Sequence, residues 1–149
     1  MGNKIKKILQ AHNILHQRSK EVLASIVKNK WIESFVFTPR HGELDIHGID
    51  LTWSFRPGPN GEVGISCAQE KTRVKDIKVH FKKYPCMPLY LLRPGDSKEQ
   101  IEYAYITLIL ACNSYNAAEK LAIEKRKNQL RGKVRKKERR VWLNWLDFK

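Results

Sequence analysis

The chain has 149 residues, enough for one domain with a genuine core, and its 42% hydrophobic and 30% charged residues are ordinary for a folded protein. Twenty-nine Lys and Arg against 15 Asp and Glu leave a net charge of +14, which points to a polyanionic partner. Three cysteines without a CxxC pair, no apolar leader core and no apolar run near the ~20 residues of a membrane span argue for reduced thiols and an intracellular, cytoplasmic protein.

The charge is unevenly spread. Residues 1–30 carry seven Lys/Arg and one Glu, residues 31–118 ten of each sign, and residues 119–149 twelve Lys/Arg and four acids. Two cationic ends thus flank a neutral body, as in proteins that meet nucleic acid or an anionic surface.

In chain order, residues 4–28 read as an amphipathic helix. Ile8, His12, Leu15, Ser19, Val22 and Ile26 recur at four-three spacing beside Ile5, Leu9 and Leu23. Strand signals follow over Trp31–Phe37, with a turn at Thr38–Gly42. From Glu43 to Phe55 apolar residues alternate, with a one-residue slip at His47-Gly48 that a bulge or tight turn absorbs. Arg56-Pro57-Gly58-Pro59-Asn60-Gly61 predicts a hairpin turn, and Glu62–Ala68 the returning strand. Gln69–Thr72 reads as a turn. Arg73–Lys83 reads as a fourth strand, with Ile77, Val79 and Phe81 alternating against Lys78, His80 and Lys82. Leu89–Leu92 follows Pro85 and Pro88 and reads as a short edge strand.

Ser97 with Gln100, or Asp96 with Glu99, resembles a capping box that opens a helix over 97–118. It is apolar all round from Tyr103 to Cys112, so it belongs on the sheet. Residues 119–149 then read as a basic extension with an aromatic tip. The expected fold is α+β: an N-terminal helix, a four- or five-stranded mostly antiparallel sheet at 31–92, and a long C-terminal helix, with residues 1–118 as the core domain.

The extension carries the strongest functional signal. Lys120, Lys125, Arg126, Lys127, Arg131, Lys133, Arg135, Lys136, Lys137, Arg139 and Arg140 meet only Glu124 and Glu138 within 120–140. Such density suits phosphates, whose condensed counterions are released on binding, and it has no positional code for reading bases. Lys78 and Lys82 would add cations from one sheet face. Exposed aromatics on a basic sheet would stack unpaired bases, though Trp53 and Phe55 share an apolar face with Ile49 and Leu51 and belong in the core. These features favour a non-catalytic binder of RNA or single-stranded DNA with little sequence preference, joined into a homo-oligomer.

Two alternatives stand beside it. Asp50, with Asp76-Ile77-Lys78 on a later strand, resembles the dispersed Asp…(Asp/Glu)-x-Lys set of restriction-type nucleases. That resemblance implies two carboxylates on Mg²⁺ and a lysine supporting the attacking water. The other alternative is a non-enzymatic inhibitor or adaptor. The tip residues Trp142, Leu143, Trp145, Leu146 and Phe148 are too apolar for a free tail, and are expected to pack on the core or a second subunit, or to meet a partner protein; a membrane role is not favoured. No cofactor and no structural metal is expected: His12 and His16 stand at helical i, i+4 spacing without the acid that a zinc peptidase helix needs, and no Gly-rich phosphate loop is present.

Overall fold

The computed structural model describes residues 2–39, 48–58, 60–61, 63–112, 117–134, 139–144 and 146. Helix α1 spans Gly2–Lys28 and buries Leu15, Ser19, Val22, Leu23 and Ile26. The apolar stripe read from the sequence is therefore the packing face, but only from Leu15 onward.

The chain turns at Asn29–Glu33 into β1 (Ser34–Phe37), followed by β2 (Leu51–Ser54) and β3 (Ile65–Lys71). These form an antiparallel meander, with Phe37 opposite Leu51 and Leu51 opposite Ala68. Gly61, at φ 77°, sits in the turn between β2 and β3, and its N–H donates to Gly58 O at 3.0 Å. Trp53 and Phe55 lie in the core at 2% and 4% exposure, as their shared apolar face predicts.

Two expectations fail next. Gln69–Lys71 continues β3 instead of turning, and the expected strand over Arg73–Lys83 is helix α2 (Asp76–Lys83). Ile77 and Phe81 fit both periods, but the helix buries them together with His80 and leaves Val79 64% exposed, which alternation would have buried. Topology explains the choice. β4 (Leu89–Leu91) pairs parallel with β3, and a parallel pair needs a crossover segment, usually a helix.

β4 is an interior strand, not the edge strand expected. β5 (Val141–Trp142) pairs with it on its other side, antiparallel, with Tyr90 opposite Val141. Its three residues are all buried, which matches a continuous apolar run covered on both faces. Pro88 precedes the strand and offers its carbonyl to Gln69 N at 3.0 Å. The sheet is five-stranded in order β1-β2-β3-β4-β5 and mostly antiparallel.

Helix α3 (Lys98–Cys112) opens on the capping box read from the sequence: Gln100 N donates to Ser97 Oγ at 3.2 Å, and Ser97 N to Gln100 Oε1 at 2.9 Å. The single long helix expected from 97 is instead two. α4 (Ala117–Arg131) folds back on α3, burying Ile123 and Leu130 at 0% exposure. It is followed by Gly132, a residue poorly suited to a helix interior.

The sheet lies between two helical layers. Leu51, Trp53, Phe55, Ala68, Tyr90, Leu92 and Val141 join α1, α3 and α4 in the main core. Leu89, Leu91 and Trp142 join Ile77 and Phe81 of α2 on the opposite face. The architecture is α+β with a mixed sheet. Among the described residues no helix is long and apolar enough to cross a membrane.

Candidate functional site at the carboxyl end of the sheet

The parallel pair fixes one end of the sheet as chemically distinct. The carboxyl ends of β3 and β4, at Lys71 and Leu91, lie side by side, because Leu92 N donates to Lys71 O at 3.0 Å. Antiparallel pairing brings the start of β2, the end of β1 and the start of β5 to the same end. Crevices outside the carboxyl ends of parallel strands are where open α/β sheets hold ligands.

Asp50 stands there, one residue before β2. Its N–H donates to Ala68 O at 3.0 Å, its carbonyl accepts from Thr38 N at 3.0 Å, and its Oδ2 accepts from Glu70 N at 2.7 Å. A backbone amide holds the carboxylate against β3, across two strands.

The Glu70 side chain reaches from the same strand end toward Tyr90, its register partner on β4. Its pKa is pushed up to about 7, first by burial and also by the neighbouring charge of Asp50. Tyr90 Oη lies near enough to offset part of that rise, without full hydrogen-bond geometry. Asp50 and Glu70 thus form an electrostatically coupled pair of carboxyl groups. Lys71 follows Glu70 as the last residue of β3, so strand parity turns its side chain to the opposite face, with Gln69.

On that face Gln69 is positioned by α2. The Gln69 amide contacts His80 Nδ1, and His80 Nε2 lies 2.9 Å from Met87 O. Nε2–H donates to the Met87 carbonyl, and the Gln69 atom on Nδ1 is Oε1. Burial, then the charge of Lys71, lowers the His80 pKa against the raising effect of the Met87 carbonyl. Gly48, at φ 77°, closes the same corner. A Cβ there would fall 2.5 Å from the Tyr84 ring and 3.0 Å from Gln69 Nε2.

Cations cluster around this end by position in the fold. Arg73 follows β3, Arg93 follows β4, and Arg139 and Arg140 precede β5. Arg140 is an internal member. Its Nη1 and Nη2 donate to Asp96 Oδ2 and Oδ1 at 2.7 and 3.1 Å, with Arg140 at 7% and Asp96 at 5% exposure. Asp96 Oδ2 also accepts from Arg93 N at 2.7 Å, and its carbonyl from Arg18 Nη1 at 2.8 Å.

The residues expected to bind or cut are distributed as follows. Asp76 and Lys78 lie on a helix, not a strand, where two positions are about 200° apart, so they do not share a face. Asp76 pairs with Arg73 at 3.1 Å, while Asp50 is held by Glu70. Lys78 and Lys82 share an exposed face of α2 instead of a sheet face. On α4, Lys120, Lys125 and Arg131 are exposed, as is Lys133 just beyond it. Lys127 is half-buried over the Tyr103 ring, and Arg126 is held by Glu102 through two contacts of 2.7 and 3.0 Å. Arg139 is exposed and lies over the Trp142 ring.

Arg135, Lys136 and Lys137 lie outside the described residues, as do Trp145 and Phe148. Of the tip, Trp142 is buried in β5, Leu143 packs on the main core and Leu146 is exposed. Of the aromatics in the sheet region, Trp53, Phe55 and Tyr90 are core, Trp31, Phe35 and Phe37 pack against it, and Tyr84 is half-buried. His16, one of the two helical histidines, faces the Phe37 ring at 4.8 Å. The sequence reading missed Gln69, Glu70 and Lys71, because four polar residues in a row resemble a turn.

Among the described residues no group of three or more His, Cys, Asp and Glu is arranged to hold a metal ion. Asp50 and Glu70 bring together two carboxyl groups, the number that a sparse Mg²⁺ site uses when substrate phosphates and water complete its shell. A search of family models, curated proteins and solved structures found no match to this chain.

Proposed function

We propose that this protein binds nucleic acid through its phosphate backbone and hydrolyses it in a Mg²⁺-dependent reaction at the carboxyl end of the sheet. The observation that carries this reading is the Asp50 carboxylate fixed on the Glu70 amide, beside the Glu70 carboxyl and the Lys71 end of β3. The reading keeps Asp50 from the nuclease-like set read in the sequence and replaces Asp76 with Glu70, while Lys71, on the other sheet face, does not take the place of Lys78. It departs from the Asp…(Asp/Glu)-x-Lys spacing, since Gln69 stands two residues before Lys71 and Glu70 directly before it.

Asp50 and Glu70 would hold the ion, and bound Mg²⁺ would polarise a phosphoryl oxygen and stabilise a leaving oxyanion. The Lys71 ammonium lies on the opposite sheet face from the Glu70 carboxyl and adds only to the positive field at the strand end. Gln69, locked by His80, offers its remaining amide atom to the substrate or its water. Arg73, Arg93 and Arg139 supply the surrounding positive field that draws in the polyanion.

The test is incubation of end-labelled single- and double-stranded DNA and RNA with Mg²⁺. Cleavage is expected, with losses of about 100-fold or more in Asp50→Asn and Glu70→Gln, on the scale of removing one charge-stabilising group. Asp76→Asn and Lys78→Ala should cut like the parent. Binding without cleavage in every arm would leave the non-catalytic binder, which the exposed cations of α4 favour.

A further inference from the structure

The first half of α1 has no role in the core. Among residues 2–14 only Ala11 is even half-buried, and Ile5, Ile8 and Leu9 are 57%, 51% and 56% exposed. Its direction is fixed at two points. Near its C-terminus, Trp31 N donates to Ile26 O as the chain turns into β1, so that end lies by the start of β1. His16 packs with a tilted ring against Phe37, the last residue of β1, which pairs with Leu51 beside Asp50. The helix thus runs antiparallel to β1, and residues 2–14 continue past the carboxyl end of the sheet. At 1.5 Å per residue the overhang is about 20 Å, the length of about six base steps.

The overhang is cationic as well as apolar. Lys4, Lys6 and Lys7 lie on it, and the first acid of the chain is Glu21. On a helical projection Lys4 and Lys6 border the stripe of Ile8, Ile5 and Leu9 on its two sides. That stripe continues the face that packs on the core from Leu15 onward.

We infer that the N-terminal half of α1 is a clamp arm for a nucleic-acid strand entering or leaving the Asp50 end. Lys4, Lys6 and Lys7 contact successive phosphates, and Ile5, Ile8 and Leu9 contact sugars and base faces. The occupant is assigned by charge: three lysines without an acid repel a second copy of the same arm and attract a polyanion. The inference rests on the proposed reading of that end as the substrate site.

The experiment separates the two. Binding of a labelled 20-nucleotide and a 6-nucleotide single strand is followed by anisotropy in EDTA across a salt series, so no cleavage is needed. The variant is Lys4→Gln/Lys6→Gln/Lys7→Gln, which should melt with the parent because these side chains are exposed. Expected is a loss of about 10-fold or more in affinity for the long strand, little change for the short one, and a fall of about 2 in the slope of log K against log salt, for three contacts at ~0.7 each. An unchanged slope, or no strand binding by the parent, overturns the arm. So does a dimeric parent that Ile8→Asp/Leu9→Asp makes monomeric, which assigns the face to a second copy. The nuclease reading fails separately, if strands bound in this assay are never cut with Mg²⁺.

Discussion

Removing the guanidinium of Arg140 strands a carboxylate. Asp96 is as buried as its partner, and besides Arg140 its carboxylate accepts from the Arg93 amide, which does not cancel its charge. Arg140→Met is expected to cost about 3–5 kcal/mol in urea unfolding, the range for breaking a buried ion pair. Arg140→Met with Asp96→Asn should recover much of it, because the second change removes the charge left behind. A single variant that melts with the parent would show that the pair does not hold β5 to the fold. Glu70 makes the opposite kind of prediction. Unfolded, its carboxyl ionises near 4.5; folded, it keeps its proton to about 7. Between these pH values the folded chain binds more protons than the unfolded, so this group's contribution to stability falls as pH rises. The shift corresponds to about 3 kcal/mol, lost across that window and fully absent above it. Denaturant melts in EDTA from pH 4 to 8 should show Glu70→Gln gaining on the parent as pH rises. A constant difference between the two would refute the raised pKa.

At the scale of elements, α2 is the clearest test of what decides structure. Ile77, Val79 and Phe81 suit a strand, yet only Ile77, His80 and Phe81 are buried. Phe81→Ala should cost about 3–5 kcal/mol, as for a phenylalanine removed from a core. Val79→Ala should be neutral or slightly stabilising, because valine is the poorer helix former and its side chain is exposed. A strand would reverse the second result, since Val79 would then be a core residue. The elements readable in the sequence were those set by local chemistry. The α1 stripe, the Ser97–Gln100 box and the alternation ending in Trp53 and Phe55 each carry their own signal. α2 was not readable, because its helix is demanded by the parallel pairing of β3 with β4, a contact no local window contains. The site was half readable for the same reason. Asp50 stood out as a carboxylate on a strand, but its partners on β3 are about 20 residues away and look like a turn until Leu51 is known to pair with Ala68. β4 reads as an edge in the sequence because its neighbour β5 lies some 50 residues further on.

For the whole molecule, the +14 charge does not translate into fourteen contacts with a polyanion. The basic C-terminal third is partly architectural: Ile123, Leu130 and Val141 are core residues within it, so deleting 120–149 would test folding and not binding. Its cations divide in the same way. Lys120, Lys125, Arg131 and Lys133 point to solvent, whereas Arg126 is engaged by Glu102 and Arg140 by Asp96. A polyanion gains from the first group by releasing counterions. From the second it gains little, because each guanidinium would have to leave a carboxylate that already neutralises it. Lys120→Gln/Lys125→Gln/Arg131→Gln/Lys133→Gln should therefore reduce the salt slope of single-strand binding by about 3, for four contacts at ~0.7 each, with no change in melting. Arg126→Gln should leave the slope as it was and lower stability by up to about 1 kcal/mol, as for a partly exposed ion pair. Parallel salt titrations and melts of the two variants give the answer. If Arg126→Gln shifts the slope as much per charge as the quadruple variant, strand binding follows total charge rather than the cations the fold leaves open, and α4 is not the track.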